Sequence, residues 1–146
     1  MKNLIVVILT VILSCTTATT DEALLHLDKP YVYATAGPDT FDCSGFVCYC
    51  YKKVYGIELK RSARAQGYDE EYEKIETIEE LIPGDMVFFN TNKHDNDLSD
   101  HSGIYLGEGK FIHCSSTKGK VIISTLEEGY YNKVFSWGRR IKEVIE

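Results

Sequence analysis

The sequence is short of positive charge. Its 16 Lys and Arg stand against 22 Asp and Glu, a formal net charge of −6. That balance argues against nucleic acid or an anionic lipid surface as a partner, since both repel an acidic face. It also lacks an apolar run long enough to cross a bilayer as a helix. The best candidate, "LIVVILTVIL" from Leu4 to Leu13, has about half the length required. No internal repeat and no long low-complexity tract is present, and the chain has single-domain length. The cysteines, Cys15, Cys43, Cys48, Cys50 and Cys114, lack the spacing of a disulfide scaffold. Cys48 and Cys50 are two apart in an expected helix, so they diverge and cannot readily bond each other. A chain of this length buries enough core to do without staples.

What is present begins with a leader. Met1-Lys2-Asn3 is a short basic segment, Leu4–Leu13 is apolar, and small and hydroxylated residues follow, "SCTTATT". This is the layout of a secretory signal. Residues 1–20 are therefore read as a leader and 21–146 as one domain. Two processing routes are open. Ile12-Leu13-Ser14-Cys15 resembles a bacterial lipoprotein signal in which an acylated Cys15 becomes the new N-terminus, although Leu13 is not the usual small residue. The other route is ordinary cleavage near Ala18. Both place the mature protein outside the cytoplasm, secreted or held at the cell surface, with a membrane contact only if Cys15 is lipidated. Loss of the leader, whose one charge is Lys2, takes the formal charge to −7.

Within the domain, "DEALLHL" (21–27) suggests a short helix ended by Pro30, after which "YVY" begins an extended segment. From Cys43 to about Tyr55 the apolar positions Cys43, Val47, Cys50 and Val54 recur at four, three and four, flanked by Phe46 and Tyr51. That is an amphipathic helix with Gly56 as its stop. "KRSARAQG" is a second short helix, and "IEELIPGD" is a turn. "MVFF", "HSGIYLG", "KFIHCS", "KVIIST" and "FSWGRRI" read as strands, several separated by Gly-rich turns. A polar loop, 90–100, precedes His101. Helices first and strands later imply α+β, with a small antiparallel sheet or open barrel.

"FDCSGFV" carries the chemistry. Asp42 suits an N-cap, which puts Cys43 in the first turn of the helix. Unpaired backbone N–H groups and the positive end of the helix dipole there favour a thiolate and can hold a developing oxyanion. Gly45 removes bulk from that turn and is a costly choice for a helix, so it reads as room for a substrate. A buried structural thiol is the plainer alternative, and it suits Cys50 on the apolar stripe.

A nucleophilic thiol needs a base. His26 lies on a short amphipathic stretch as a surface or packing residue, and His94 lies in the polar loop, solvated. His101 and His113 sit on two strands joined by "LGEGK". A two-residue turn at Glu108-Gly109 would put Ile104 opposite His113 and the histidines on opposite faces. A three-residue loop, Gly107-Glu108-Gly109, is expected, since Gly109 suits its left-handed last position. It would put Gly103 opposite His113 and both imidazoles on one face, with space left by Gly103. Thiol, base and orienting residue would then make a triad in general form.

"FDCSGFV", "LKRSARAQ", "LIPGDMVFF" and "HSGIYLGEGKFIH" together resemble the NlpC-type cysteine peptidases, small papain-like enzymes of cell-wall turnover. The likeness runs from about Pro30 to Arg140. It implies Cys43 as nucleophile, His101 as base and His113 as the residue orienting it. It also implies a substrate cleft lined by Tyr31, Asp42, Ser44, Arg61 and Ser62. An acidic protein acting on an anionic peptide needs local positive or hydrogen-bonding groups, so Arg61 and Ser62 are the candidates to meet a substrate carboxylate, while Asp42 either receives a free amine or serves only as the helix cap. The implied reaction, without cofactor or metal, is hydrolysis of peptidoglycan stem peptides after γ-D-glutamate, commonly at the bond to diaminopimelate. Two departures stand out. Ala34-Thr35 replaces a frequent Gly-Gly, and the insert before His101 is longer than usual.

Other readings stay open. CHAP-like amidases share the Cys-then-His order and cut nearby bonds. Relatives of lecithin-retinol acyltransferase place histidine first, against the order here. A zinc site from Cys43, His101, His113 and Cys114 has no ligand pair at finger spacing, and His113 and Cys114 would face opposite ways along a strand. A catalytically silent module binding cell-wall peptides would need no base.

Overall fold

The computed structural model describes residues 17–92 and 98–142. Residues 1–16, with Cys15 and the expected apolar leader segment, lie outside the described residues. So do His94 and the middle of the 90–100 loop.

The first described element, α1, is helical over 17–24 and turns at 25–28. It therefore lies earlier than the stretch 21–27 that the composition suggests. Residues 17–20, within the expected leader, are part of this helix. Thr19 Oγ1 lies 2.8 Å from the Tyr55 hydroxyl, at the far end of the next helix.

That helix, α2 (Cys43–Tyr55), is bounded as its sequence dictates. The Asp42 carboxylate accepts from the Gly45 N–H at 2.7 Å, satisfying one of the orphan donors of the first turn. Gly56 ends the helix with φ at +67°, a conformation that costs glycine nothing, and its N–H closes on the Lys52 carbonyl. Phe46, Val47, Cys50 and Tyr51 form the buried face. They pack with Ile104, Ile112 and Cys114 of the sheet in one core cluster. A short helix follows, α3 (Ala63–Gly67), capped by the Ser62 hydroxyl on the Ala65 N–H.

The sheet has six antiparallel strands in the order β1-β6-β2-β3-β4-β5. They are β1 (Glu73–Ile75), β2 (Met86–Phe89), β3 (His101–Gly107), β4 (Lys110–Ser115), β5 (Lys120–Thr125) and β6 (Phe135–Arg140). The fold is thus α+β, helix first, with one open antiparallel sheet. All four residues of β2 are buried, because the sheet is covered on both faces. α2 covers one. On the other, Val87, Phe89, Tyr105, Phe111 and Leu126 make a second cluster, which Tyr131 of α4 (Gly129–Val134) helps to close. Two elements carry little signal in the sequence. β1 has three residues, two of them exposed, so no alternation shows. α4 starts on a glycine at φ +77° and has no side-chain cap.

The β3–β4 hairpin sets the register of the site. Ile104 pairs with Ile112 and Tyr105 with Phe111. Continuing the ladder puts Gly103 opposite His113. The expected three-residue loop is not the device that achieves this. The turn has two residues, Glu108 and Gly109, both at positive φ (53° and 72°), and Gly107 pairs with Lys110. A bulge at Leu106 then inserts one extra residue into β3 and shifts the pairing by one. The parity that an odd loop would have supplied comes from an even turn plus a bulge.

Candidate active site

Cys43 is the first residue of α2, directly after the cap. The backbone N–H groups of Ser102, Ser44 and Cys43 itself act to lower its pKa. These favour the thiolate, as a helix start should. Burial and then the neighbouring Asp42 charge oppose them, and the net effect raises the thiol's pKa above its usual value. The sequence favours an easily ionised thiol here. The structure reverses that, because desolvation outweighs the helix end.

Ser102 follows His101 at the start of β3, so one group that favours the thiolate sits on the strand beside that histidine. His101 Nε2 lies 2.8 Å from His113 Nδ1, with the rings edge to face at 83°. Both imidazoles share the sheet face that carries Phe111, whose ring stacks on His113 at 4.5 Å. Tyr131 contacts both histidines from outside, at 6.3 and 5.0 Å. Burial lowers the pKa of His101 to about 4, with the Asp100 charge pulling the other way. Burial lowers His113 as well, and His101 adds to that. In the free site the thiolate and both cationic imidazoles are thus disfavoured.

Beside the thiol lies a polar cluster. Arg61 donates from Nη1 to Asp42 Oδ1 at 3.0 Å and from Nη2 to Asp42 Oδ2 at 2.6 Å. It also donates to the Ser44 hydroxyl at 2.9 Å and the Thr35 carbonyl at 3.3 Å. Ser44 in turn donates to Asp42 Oδ1 at 3.3 Å. Asp42, Ser44 and Arg61 are thus brought together as one network. Tyr31 stands nearby: burial raises its hydroxyl pKa, and the Cys43 and Asp42 charges add to the effect. Ser62 serves as the cap of α3.

Gly45 has a different reason from the expected one. A Cβ there would overlap the Thr35 carbonyl oxygen. The space belongs to the chain's own 35–36 backbone, which crosses the first turn of α2, and not to a substrate. A Cβ on Gly103 would meet the Ile112 carbonyl at 2.8 Å, the Phe111 ring at 2.9 Å and His113 only at its Cβ, so the glycine makes room for the neighbouring strand rather than beside both imidazoles. His26 is a packing residue, edge-on to Phe41, Phe46 and Tyr49 and bonded to Glu22 at 2.9 Å. The zinc alternative needs Cys43, His101, His113 and Cys114 to converge. Cys114 turns to the helix side and donates to the Phe41 carbonyl, and among the described residues no three His, Cys, Asp or Glu are grouped to hold a metal ion.

Two neighbours of the site escape a reading of the sequence. Ser124 of β5 lies 2.9 Å from His113 Nε2. Ser102, besides its N–H, has a fully buried hydroxyl with no partner among the described residues. Both sit on strands whose pairing must be known before they can be placed.

A cysteine opening a helix that packs on an antiparallel sheet, with a bonded histidine pair on two adjacent strands, is the arrangement of a papain-like protein. Residues 28–140 match the NlpC/P60 family, and the chain belongs to it. It is 35% identical over 122 residues to the murein DD-endopeptidase MepH of Escherichia coli (strain K12), covering 83% of this chain and 44% of that protein. It is 39% identical over 120 residues to the gamma-DL-glutamyl hydrolase of Bacillus subtilis (strain 168), covering 82% of this chain and 28% of that one. The chain thus spans under half the length of these curated relatives. Among solved structures, NlpC2 from Trichomonas vaginalis is similar with a TM-score of 0.76 at 32% identity, over 84% of this chain and 44% of that one.

Proposed function

We propose that this chain is a cysteine peptidase that hydrolyses peptidoglycan stem peptides, with Cys43 as nucleophile, His101 as general base and His113 as the residue that orients His101. The observation that carries the reading is the His101–His113 bond at 2.8 Å, beside Ser102, whose N–H favours the Cys43 thiolate. That bond occupies Nε2 of His101, which leaves Nδ1 to take the thiol proton.

With the thiolate and the imidazolium both disfavoured in the free site, proton transfer accompanies attack. The sulfur bonds to the substrate carbonyl carbon while its proton passes to His101 Nδ1. The developing oxyanion is held by backbone N–H groups at the start of α2. His101 then protonates the leaving amine, and a thioester remains on Cys43. Water attacks it, giving its proton to His101. The acid leaves and the thiol is restored.

Tyr31, Asp42, Ser44, Arg61 and Ser62 are proposed to line the substrate cleft. The Arg61 fork is already laid on Asp42, but its side chain is 47% exposed, so its outer edge can share a substrate carboxylate. The bond proposed is the one after γ-D-glutamate, toward diaminopimelate. The name of the Bacillus subtilis relative supports a γ-glutamyl bond, while that of MepH makes the DD cross-link the runner-up. Acting on a cell wall requires export, in keeping with the leader read in residues 1–20. Among the described residues no helix is long and apolar enough to cross a membrane, and attachment through a lipidated Cys15 is the proposed alternative to free secretion.

The test is turnover of purified peptidoglycan with a thiol alkylator or a chelator. Alkylation mapped to Cys43 should abolish turnover, and the chelator should leave it unchanged. Loss with the chelator, or turnover that survives complete alkylation of Cys43, would overturn the reading.

A further inference from the structure

We propose that Ser124 is a positioning residue that sets the tautomer of His113 and, through it, keeps His101 in its base form. The inference rests on the peptidase reading above and extends the chain of groups behind the thiol by one member.

The geometry is a relay of three partners. His101 Nε2 meets His113 Nδ1 at 2.8 Å, and His113 Nε2 meets Ser124 Oγ at 2.9 Å. The strand register explains the second contact. His113 pairs with Ile122 and Phe111 with Ser124, so Ser124 lies diagonal to His113 on the same face. The His113 residue is wholly buried, and both its ring nitrogens need partners. Phe111 stacked at 4.5 Å and Tyr131 edge-on at 5.0 Å hold the ring in this orientation.

Two neutral imidazoles in series have two possible polarities. In one, His113 carries its proton on Nδ1 and donates to His101, whose own proton then sits on Nδ1, the nitrogen that the peptidase reading assigns to the thiol proton. That form cannot act as a base. In the other, His113 carries its proton on Nε2 and donates to Ser124. Its Nδ1 then accepts from His101 Nε2–H, and His101 Nδ1 is left bare for the thiol proton. Only the second polarity serves catalysis, and it requires an acceptor at Ser124.

A solvent-open depression of about 530 Å³ beside Ser124 leaves its hydroxyl free to accept from His113. Ser124 lines it together with the exposed Thr125, Glu128 and Tyr130. Water entering there can accept the hydroxyl proton, which frees the oxygen's lone pairs for His113. The hydroxyl donates outward and accepts inward.

The test compares Ser124→Thr with Ser124→Val in the full chain. The two variants have nearly the same shape, both suit a strand, and they differ in the hydroxyl. Long-range proton–nitrogen NMR of the imidazoles reads the tautomers without any need for turnover. In wild type and Ser124→Thr, both histidines should carry their proton on Nε2, and kcat on peptidoglycan fragments should agree within about twofold. In Ser124→Val, the His113 proton should move toward Nδ1, and kcat should fall about tenfold, the worth of one neutral hydrogen bond, with KM unchanged. Equal loss in both variants would show a packing role and overturn the proposal. So would an Nδ1 proton on His113 in wild type, or a Ser124→Val protein with the wild-type tautomer or wild-type kcat. A Cys43→Ala control separates the two levels. Turnover in that control overturns the peptidase reading, whereas its silence alongside an unaffected Ser124→Val overturns the role of Ser124 alone.

Discussion

Arg61 grips Asp42 through both arms of its guanidinium, at 3.0 and 2.6 Å, while the same carboxylate caps α2 from the Gly45 N–H. One acidic side chain therefore fixes the helix start, anchors the segment that returns after the helix, and sets the potential at the thiol. Its negative charge is one cause of the raised pKa of Cys43, second to burial.

Asp42→Asn should lower the thiol's pKa. Asparagine still caps a helix, so α2 keeps its start. The negative charge is gone and Arg61 has lost its counter-charge, and both changes favour the thiolate. The rate of alkylation by iodoacetamide against pH should shift to lower pH. A shift upward, or none, would remove Asp42 from the electrostatics of the thiol. The cost in stability should be about 1 kcal/mol, since half-exposed Arg61 is screened by solvent.

Cys43 and Cys50 should separate chemistry from packing. Cys43→Ala removes one half-buried sulfur at a helix start and should leave the urea midpoint nearly unchanged while turnover disappears. Cys50 is fully buried among Phe46, Val47 and the sheet. Cys50→Ser puts a hydroxyl there and should cost about 1–3 kcal/mol. An unfolded Cys43→Ala protein, or a Cys50→Ser protein of wild-type stability, would contradict this division.

The desolvated histidines should make the fold sensitive to acid. His101 is lowered from the usual value near 6.5 to about 4 in the folded state. Between those values the unfolded chain binds the extra proton, so stability is full above about pH 6.5 and declines as pH falls toward 4. For His101 alone the loss is on the order of 3 kcal/mol at most. Urea unfolding from pH 7 to pH 4 should show this slope, and His101→Asn should flatten it. An identical slope in the variant would place the acid sensitivity elsewhere.

Gly45→Ala should damage the site without touching a reactive group. The new Cβ would overlap the Thr35 carbonyl, which also accepts from the Asp42 N–H at 2.8 Å. Overpacking of this kind costs about 1–3 kcal/mol. Thermal unfolding should register the loss, and a neutral substitution would show that the 35–36 backbone yields.

The strands were legible because each is a short apolar or alternating run, several bounded by glycine, and "MVFF" and "KVIIST" became β2 and β5 without change of bounds. α2 was legible from its cap, its stripe and its stop. β1 and α4 were not, since a mostly exposed three-residue strand and an uncapped six-residue helix owe their form to what they pack against. The shared face of His101 and His113 could be anticipated from the wish for one face, but not the bulge at Leu106 that produces it. A bulge changes pairing and leaves no mark on composition. Asp42 reads as a cap from its neighbours alone. Its bond to Arg61, 19 residues on, and that of His113 to Ser124, 11 residues on, exist only after the chain has folded back.

The most direct measurement is digestion of purified muropeptides followed by mass identification of the products. The Cys43→Ala protein serves as the control. A cysteine peptidase acting after γ-D-glutamate should release fragments that end at that residue, with the diaminopimelate side as the new amine, and Cys43→Ala should release none. Intact muropeptides after prolonged digestion, or the same products from Cys43→Ala, would contradict it.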